Sequence, residues 1–168
     1  IGIMQGLMPI VSYNYGAHNG TRVKEGVWLA IQWTTGISLL LLSIIVVFPE
    51  QLIGIFTADK DLLAHTPRVL QLIFISLPVM GIGFIGGAYF QAIGKPLPAL
   101  VLTLARQGLC MIPLMFILAY FIELDGVWAS LPAGEVLAGI WAAVWLYLEV
   151  NKLKDGKKMD AADEIEVA

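Results

Sequence analysis

The sequence predicts an all-α membrane protein, a polytopic helical bundle, on three observations. Hydrophobic residues make up 58% of the chain and charged residues 14%, against about 25% charged in ordinary soluble domains. Val69–Ile93 runs for 25 residues without an Asp, Glu, Lys or Arg, and a second apolar run to Ile122 is interrupted only by Arg106. Between them lies Gly94-Lys95-Pro96-Leu97-Pro98, a link so short that the two runs form a hairpin. A helix rises about 1.5 Å per residue, so about 20 residues cross a hydrocarbon core of roughly 30 Å. Neither run shows the polar face that a water-soluble core helix carries every three or four residues.

Taken in order, residues 1–17 are expected to be part of a membrane helix ending at Gly16. The chain begins at Ile1 without an initiator Met, and it is expected to be a fragment starting inside that helix. A polar turn, His18-Asn19-Gly20-Thr21-Arg22, leads to a span over 27–49, 23 residues without a charge. Pro49-Glu50 ends it, and Gln51–Phe56 is expected to lie along the interface. Asp59-Lys60-Asp61 opens a new helix, with its acids where a helix N-terminus favours them, and Pro67 is expected to kink it before the 69–93 span. The 97–122 span ends in the polar turn Glu123-Leu124-Asp125-Gly126, and a last span covers 131–150. Residues 1–150 thus form the membrane bundle, and 151–168 a charged tail without apolar periodicity.

Lys and Arg fall unevenly. Arg22, Lys24, Lys95, Lys152, Lys154, Lys157 and Lys158 share one side, and only Lys60 and Arg68 lie on the other. The positive-inside rule then places the C-terminal tail in the cytoplasm and the protein in the cell membrane. One cysteine, Cys110, and two histidines in separate loops exclude a disulfide framework and a clustered metal site. No nucleic-acid partner is expected.

Gly81-Ile82-Gly83-Phe84-Ile85-Gly86 matches the dinucleotide-binding pattern letter for letter, but it lies within a helical span, with no acid about 20 residues on. Gly83 and Gly87 instead form a small-xxx-small face suited to close helix approach. Pro9, Pro78 and Pro113 interrupt apolar segments, where each removes a backbone hydrogen bond. They act either as static kinks or as hinges of a moving helix. The glycines that follow Pro78 favour a bendable helix there.

Arg106 is the strongest polar feature. Counted from Leu97 it lies roughly 14 Å into the membrane, close to the midplane, where an Arg costs about 2.5–3.5 kcal/mol unless it faces protein or water. It is expected to face inward. Glu135 has two placements. A helix starting at Gly126 puts it near the midplane, able to pair with Arg106. A helix starting at Leu131, with Ser130 as cap and Pro132 in the first turn, puts it at the outer end, and this start is preferred because 131–150 is long enough alone. Gln5, Asn14, Gln71, Gln91 and Gln107 are intramembrane amides, which glue helices together or line a path.

Several segments together resemble a known family. Gln5-x-x-x-Pro9-x-x-x-Tyr13-Asn14-x-Gly16-Ala17 followed by Arg22 is similar to the end of the eighth helix of the multidrug and toxic compound extrusion (MATE) family. Tyr89-Phe90-Gln91-Ala92-Ile93-Gly94-Lys95-Pro96 resembles the end of its tenth helix. Arg106 with Ile112-Pro113-Leu114 resembles the eleventh, and Gly126-Val127-Trp128 with Pro132 and Glu135 the start of the twelfth. The resemblance covers roughly residues 2 to 150. It implies part of the C-terminal lobe of a twelve-helix transporter that exports cationic, often aromatic drugs in exchange for H⁺ or Na⁺ by alternating access. Its implied partners are membrane lipids, a cationic substrate and a missing N-terminal bundle of the same protein. The coupling cation is its only implied cofactor. On this resemblance Gln5, Tyr13, Asn14, Gln91, Arg106, Gln107 and Glu135 belong to the substrate or ion pathway, and Pro9, Pro78, Gly83, Gly87 and Pro113 to hinges and packing. One departure bears on the ion: the sodium-coupled branch carries a carboxylate in its tenth helix, and 69–93 has none.

Two alternatives remain at this level. A lipid-linked saccharide flippase of the same superfamily would need a more basic cavity. A non-transporting membrane scaffold or embedded enzyme is the other, and the enzyme would need a nucleophile, carboxylate pair or metal cluster within the spans, where none is found.

Overall fold

The computed structural model describes residues 1–56 and 59–153. Every element among them is helical: α1 (Gly2–Gly16), α2 (Gly20–Val47), α3 (Pro49–Gly54), α4 (Lys60–Phe74), α5 (Leu77–Ala92), α6 (Pro96–Leu104), a π-helical turn (Ala105–Leu109) and α7 (Met111–Asn151). Gly20–Val47, Thr66–Ala92 and Pro96–Asn151 are long and apolar enough to cross a membrane. The third doubles back on itself. Glu123 leaves helical geometry at φ 54° and ψ −129°, and a Cβ added to Gly126 would collide with the Leu118 carbonyl. Residues 111–122 and 124–151 are therefore two arms of a hairpin, with the turn where the polar Glu123–Gly126 sequence predicts it.

α5 is the centre of the bundle, packed against α1, α2, α6 and α7. Its side chains explain this position. Ile85, Tyr89 and Phe90 are fully buried, and they share a core with Val11 of α1, Val23 and Val27 of α2, Leu102 of α6 and Ala142, Leu146 and Val150 of α7. The Phe90 ring meets Trp145 at 5.3 Å between centroids. Gly94 closes α5 at φ 73°, a left-handed conformation that glycine adopts without Cβ strain. There the Lys95 N–H donates to the Phe90 carbonyl at 2.9 Å.

Several boundaries differ from expectation. α1 ends near Gly16, but the left-handed residue is His18, at φ 52°. Asn19 caps α2 by accepting the Arg22 N–H at 3.2 Å, so this helix begins at Gly20 rather than near Val27. Pro67 does not interrupt α4, and Pro9 is held within α1. The 69–93 stretch is not one helix: it breaks at Ile75–Ser76, between α4 and α5. Pro78 accounts for the break, since it has no N–H for the Phe74 carbonyl and its ring crowds that group. The last helix begins at the Glu123 reversal, not at Leu131. Ser130 is no cap; its hydroxyl donates to the Val127 carbonyl at 2.6 Å inside the helix. Of the tail, only residues up to 153 fall within the described part.

Candidate functional site

α6 begins at Pro96, so Arg106 stands ten residues in, about 15 Å along the helix axis. It occupies the π turn, where the Cys110 N–H reaches back to the Ala105 carbonyl at 2.9 Å. Pro113 lies just beyond and cannot donate to the Leu109 carbonyl, so the backbone is unable to stay α-helical without loss through this region. Widened turns of this kind are frequent at functional sites.

The Arg106 guanidinium lies over the Phe84 ring, 3.9 Å from its centroid. A cation over an aromatic face is held by the ring quadrupole, most strongly when desolvated. Gly83 lies beside it: a Cβ there would stand in ordinary contact, 4.0 Å from Arg106 Cδ. Across the hairpin, Gly134 packs onto Met111, 3.0 Å from that residue's Cα at the position a Cβ would take. Glu135 follows directly, 12 residues from the Glu123 reversal, about three turns along its arm, where it is half-buried. The preferred outer placement of Glu135 is corrected by the early start of its helix. Its Oε2 atom is buried and has no hydrogen-bond partner. Arg106 is close enough to act on its charge, but no direct ion pair joins the two.

The other expected pathway residues lie elsewhere. Tyr13, Asn14 and Gln91 sit at the ends of α1 and α5, which are tied by a hydrogen bond from Ser12 Oγ to the Ala92 carbonyl at 2.8 Å. Tyr13 is exposed, and Asn14 turns back on its own helix, donating to the Ile10 carbonyl at 2.8 Å. Gln5, Gln91 and Gln107 are exposed. The structure thus brings Arg106 and Glu135 together; Gln107 shares the π turn with Arg106 but is exposed, and Gln5, Asn14 and Gln91 lie apart. Gln71 serves as glue: its amide donates to the Val46 carbonyl at 3.1 Å.

The glycine face is also corrected. A Cβ at Gly87 would meet nothing within 4 Å, and Gly83 faces Arg106 rather than a neighbouring backbone. On α5 the close approach falls at Gly81, where a Cβ would stand 2.5 Å from Thr34 Cγ2, whereas a Cβ at Gly86 would make ordinary contact with Leu102 and Ala142. Phe84 is the site residue that sequence reasoning missed. It stands beside Gly83 in the discarded glycine pattern, and nothing in the spacing points from it to Arg106.

Charged residues cluster at the two ends of the bundle. Lys95 bonds the Glu149 carboxylate at the end of α7, and Lys152 reaches the same acid at 3.3 Å. Arg68 and Asp125 face each other at 4.0 Å at the opposite end. Glu149 holds the Lys95 ammonium above its usual range through their hydrogen bond. Among the described residues, no group of three or more His, Cys, Asp or Glu could hold a metal ion.

Comparison with known proteins adds an independent finding. The MatE family model matches residues 1–117. The chain is similar to the multidrug export protein MepA of Staphylococcus aureus, 29% identical over 166 residues, covering 99% of this chain and 36% of that protein. MepA of Staphylococcus haemolyticus is 28% identical over 167 residues, with the same coverage of 99% and 36%. Among solved structures, the MATE multidrug transporter DinF-BH superposes with a TM-score of 0.82 at 37% identity, covering 91% of this chain and 35% of that one. An inward-facing MATE family transporter gives a TM-score of 0.86 at 22% identity, covering 93% and 37%, and shows likeness of fold. The chain spans 36% of the length of the MepA relatives.

Proposed function

Because the chain belongs to the MatE family, we propose that it is part of the C-terminal bundle of a membrane exporter of cationic, aromatic compounds. Export is driven by exchange for H⁺ or Na⁺, through alternating access between this bundle and an N-terminal one. The protein resides in the cell membrane with its C-terminal end in the cytoplasm. The grouping of Lys95 and Lys152 at one end of the bundle, away from Arg68, supports that orientation.

The observation that carries the reading is Arg106 at mid-depth, in a π turn, with its charge on the Phe84 ring and a carboxylate nearby. An Arg in hydrocarbon is costly unless it works within a protein interior or a wet cavity. A static scaffold has no need of it. The discontinuity of the helix around it is of the type that lines transporter sites.

The test is dye export by the complete transporter in vesicles under an imposed ion gradient. Arg106→Ala should slow export about tenfold, equivalent to roughly 1.4 kcal/mol, with expression largely intact. Normal export by Arg106→Ala would defeat this reading of the site. Residues 1–168 reconstituted alone should move no dye, because one bundle has nothing to rock against. Gradient-driven movement by that piece would refute the two-bundle mechanism.

A further inference from the structure

Glu135 is set apart from the other described acids, since it alone stands more than two turns from either end of its helical arm. The contacts around it fix the register of the hairpin. Gly134 lies on Met111, and Gly86 touches both Leu102 and Ala142. Arg106 falls between those two levels, about one helical turn from Glu135. Arg106 is the charged group that acts on Glu135. α5 carries no charged residue, and its one titratable side chain, Tyr89, is enclosed in the core toward the Lys95 end. α4 supplies Arg68, which faces Asp125 at the hairpin end. Cys110 lies in the chain between Arg106 and Met111.

We infer that Glu135 is a proton-binding site whose occupancy sets the position of Arg106. With the acid neutral, Arg106 rests on Phe84. With the acid ionised, Arg106 turns to pair with it. The proton passes between water and a carboxylate oxygen, and no other covalent bond changes. Two arguments support this assignment. Glu135 is half-buried, but its Oε2 is enclosed, and a charge-bearing oxygen held out of water without a partner is costly; Oε2 has none while Arg106 is on the ring. Each state of one residue thus stabilises one state of the other, and the coupling is reciprocal. A metal cation fits poorly. Hard cations take about six oxygen ligands, and this position offers one carboxylate beside an existing positive charge. The place of this site in ion coupling rests on the transporter reading above, but proton binding itself does not.

The experiment is a pH titration of the whole protein in lipid bilayers, following the carboxylic C=O stretch by infrared difference spectroscopy. A titrating band should appear in the wild type and vanish in Glu135→Gln. Arg106→Gln should raise its midpoint, a change in proton affinity of about tenfold or more. Phe84→Ala, which removes the competing seat for the guanidinium, should lower it. Arg106→Lys, which keeps the charge, should leave the midpoint nearer wild type and serves if the Gln variant misfolds. A band that survives Glu135→Gln, or a midpoint unmoved by Arg106→Gln, overturns the inference. So does a midpoint that shifts when Na⁺ replaces K⁺. If the complete wild-type transporter moves no dye under an ion gradient while this titration is present, the transporter reading falls and the proton site stands.

Discussion

At the Lys95 end of the bundle, Tyr89 and Phe90 are fully buried, and Phe90 packs on Trp145. Lys95 and Lys152 there converge on Glu149. At the Glu123 end, α2, α4 and the hairpin border a cleft of about 570 Å³ lined by Arg68, Asp125, Gln71, Trp128 and apolar side chains. The Arg68–Asp125 ion pair in it joins two exposed groups. The difference follows from composition. Aromatic rings set among the small residues of α5 let three helices close on it at one end. At the other, α4 is joined to α5 only through the non-helical Ile75–Ser76 link. One end is closed by packed rings, and the other keeps an open cleft.

The sharpest way to break that contrast is to hollow out the tight end. Phe90→Ala removes a fully buried ring and should cost about 3 kcal/mol or more, seen as a large fall in the thermal midpoint of the detergent-solubilised protein. Next is the one close contact of the loose end. Gly126→Ala drives a Cβ into the Leu118 backbone, which has no rotamer to yield, and should cost about 2 kcal/mol by forcing the hairpin open. Equal tolerance of Gly126→Ala and an ordinary surface change would show that the turn is not tight. The smallest effects come from the two ion pairs, and they should rank. Lys95→Ala should cost less than about 1 kcal/mol, because the lysine side chain is 45% exposed and solvent screens it. Arg68→Ala, at 87% exposed, should fall within about 0.5 kcal/mol of zero. Since Glu149 raises the lysine's affinity for its proton, that stabilisation is complete below the ordinary lysine range. It is lost as pH rises through the raised value, so wild type and Lys95→Ala should converge in stability at high pH.

The apolar spans, the Gly94–Lys95 turn and the Glu123–Gly126 reversal were legible, because each rests on a local rule that the bilayer reinforces; Pro78 was legible as a weak point of its helix, but not as a full break between two helices. Ser130-Leu131-Pro132 misled because it satisfies the local rules for a helix start. The helix runs through it instead: Ser130 bonds a carbonyl of its own helix, and Pro132 is buried within it. Which glycines meet a neighbour depends on helix phase, a tertiary property, and so the close approach on α5 appeared at Gly81 rather than at Gly83 and Gly87. Arg106 was legible as a charge in hydrocarbon. Its seat on Phe84 was not, because the two residues lie on different helices at no diagnostic spacing.

The π turn has a geometric consequence of its own. Leu102 and Met111 are nine residues apart, so in an unbroken α-helix they would point about 180° apart at roughly 100° per residue. The surplus residue of the π turn absorbs one such step and reduces the separation to about 80°. That keeps both side chains toward the second arm, where Leu102 nears Ala142 across Gly86 and Met111 meets Gly134. Deleting one residue within Ala105–Leu109 would preserve this alignment while erasing the bulge. Substitutions that wind the same five residues into an α-helix would instead rotate everything from Met111 to Ile122 by about 100°.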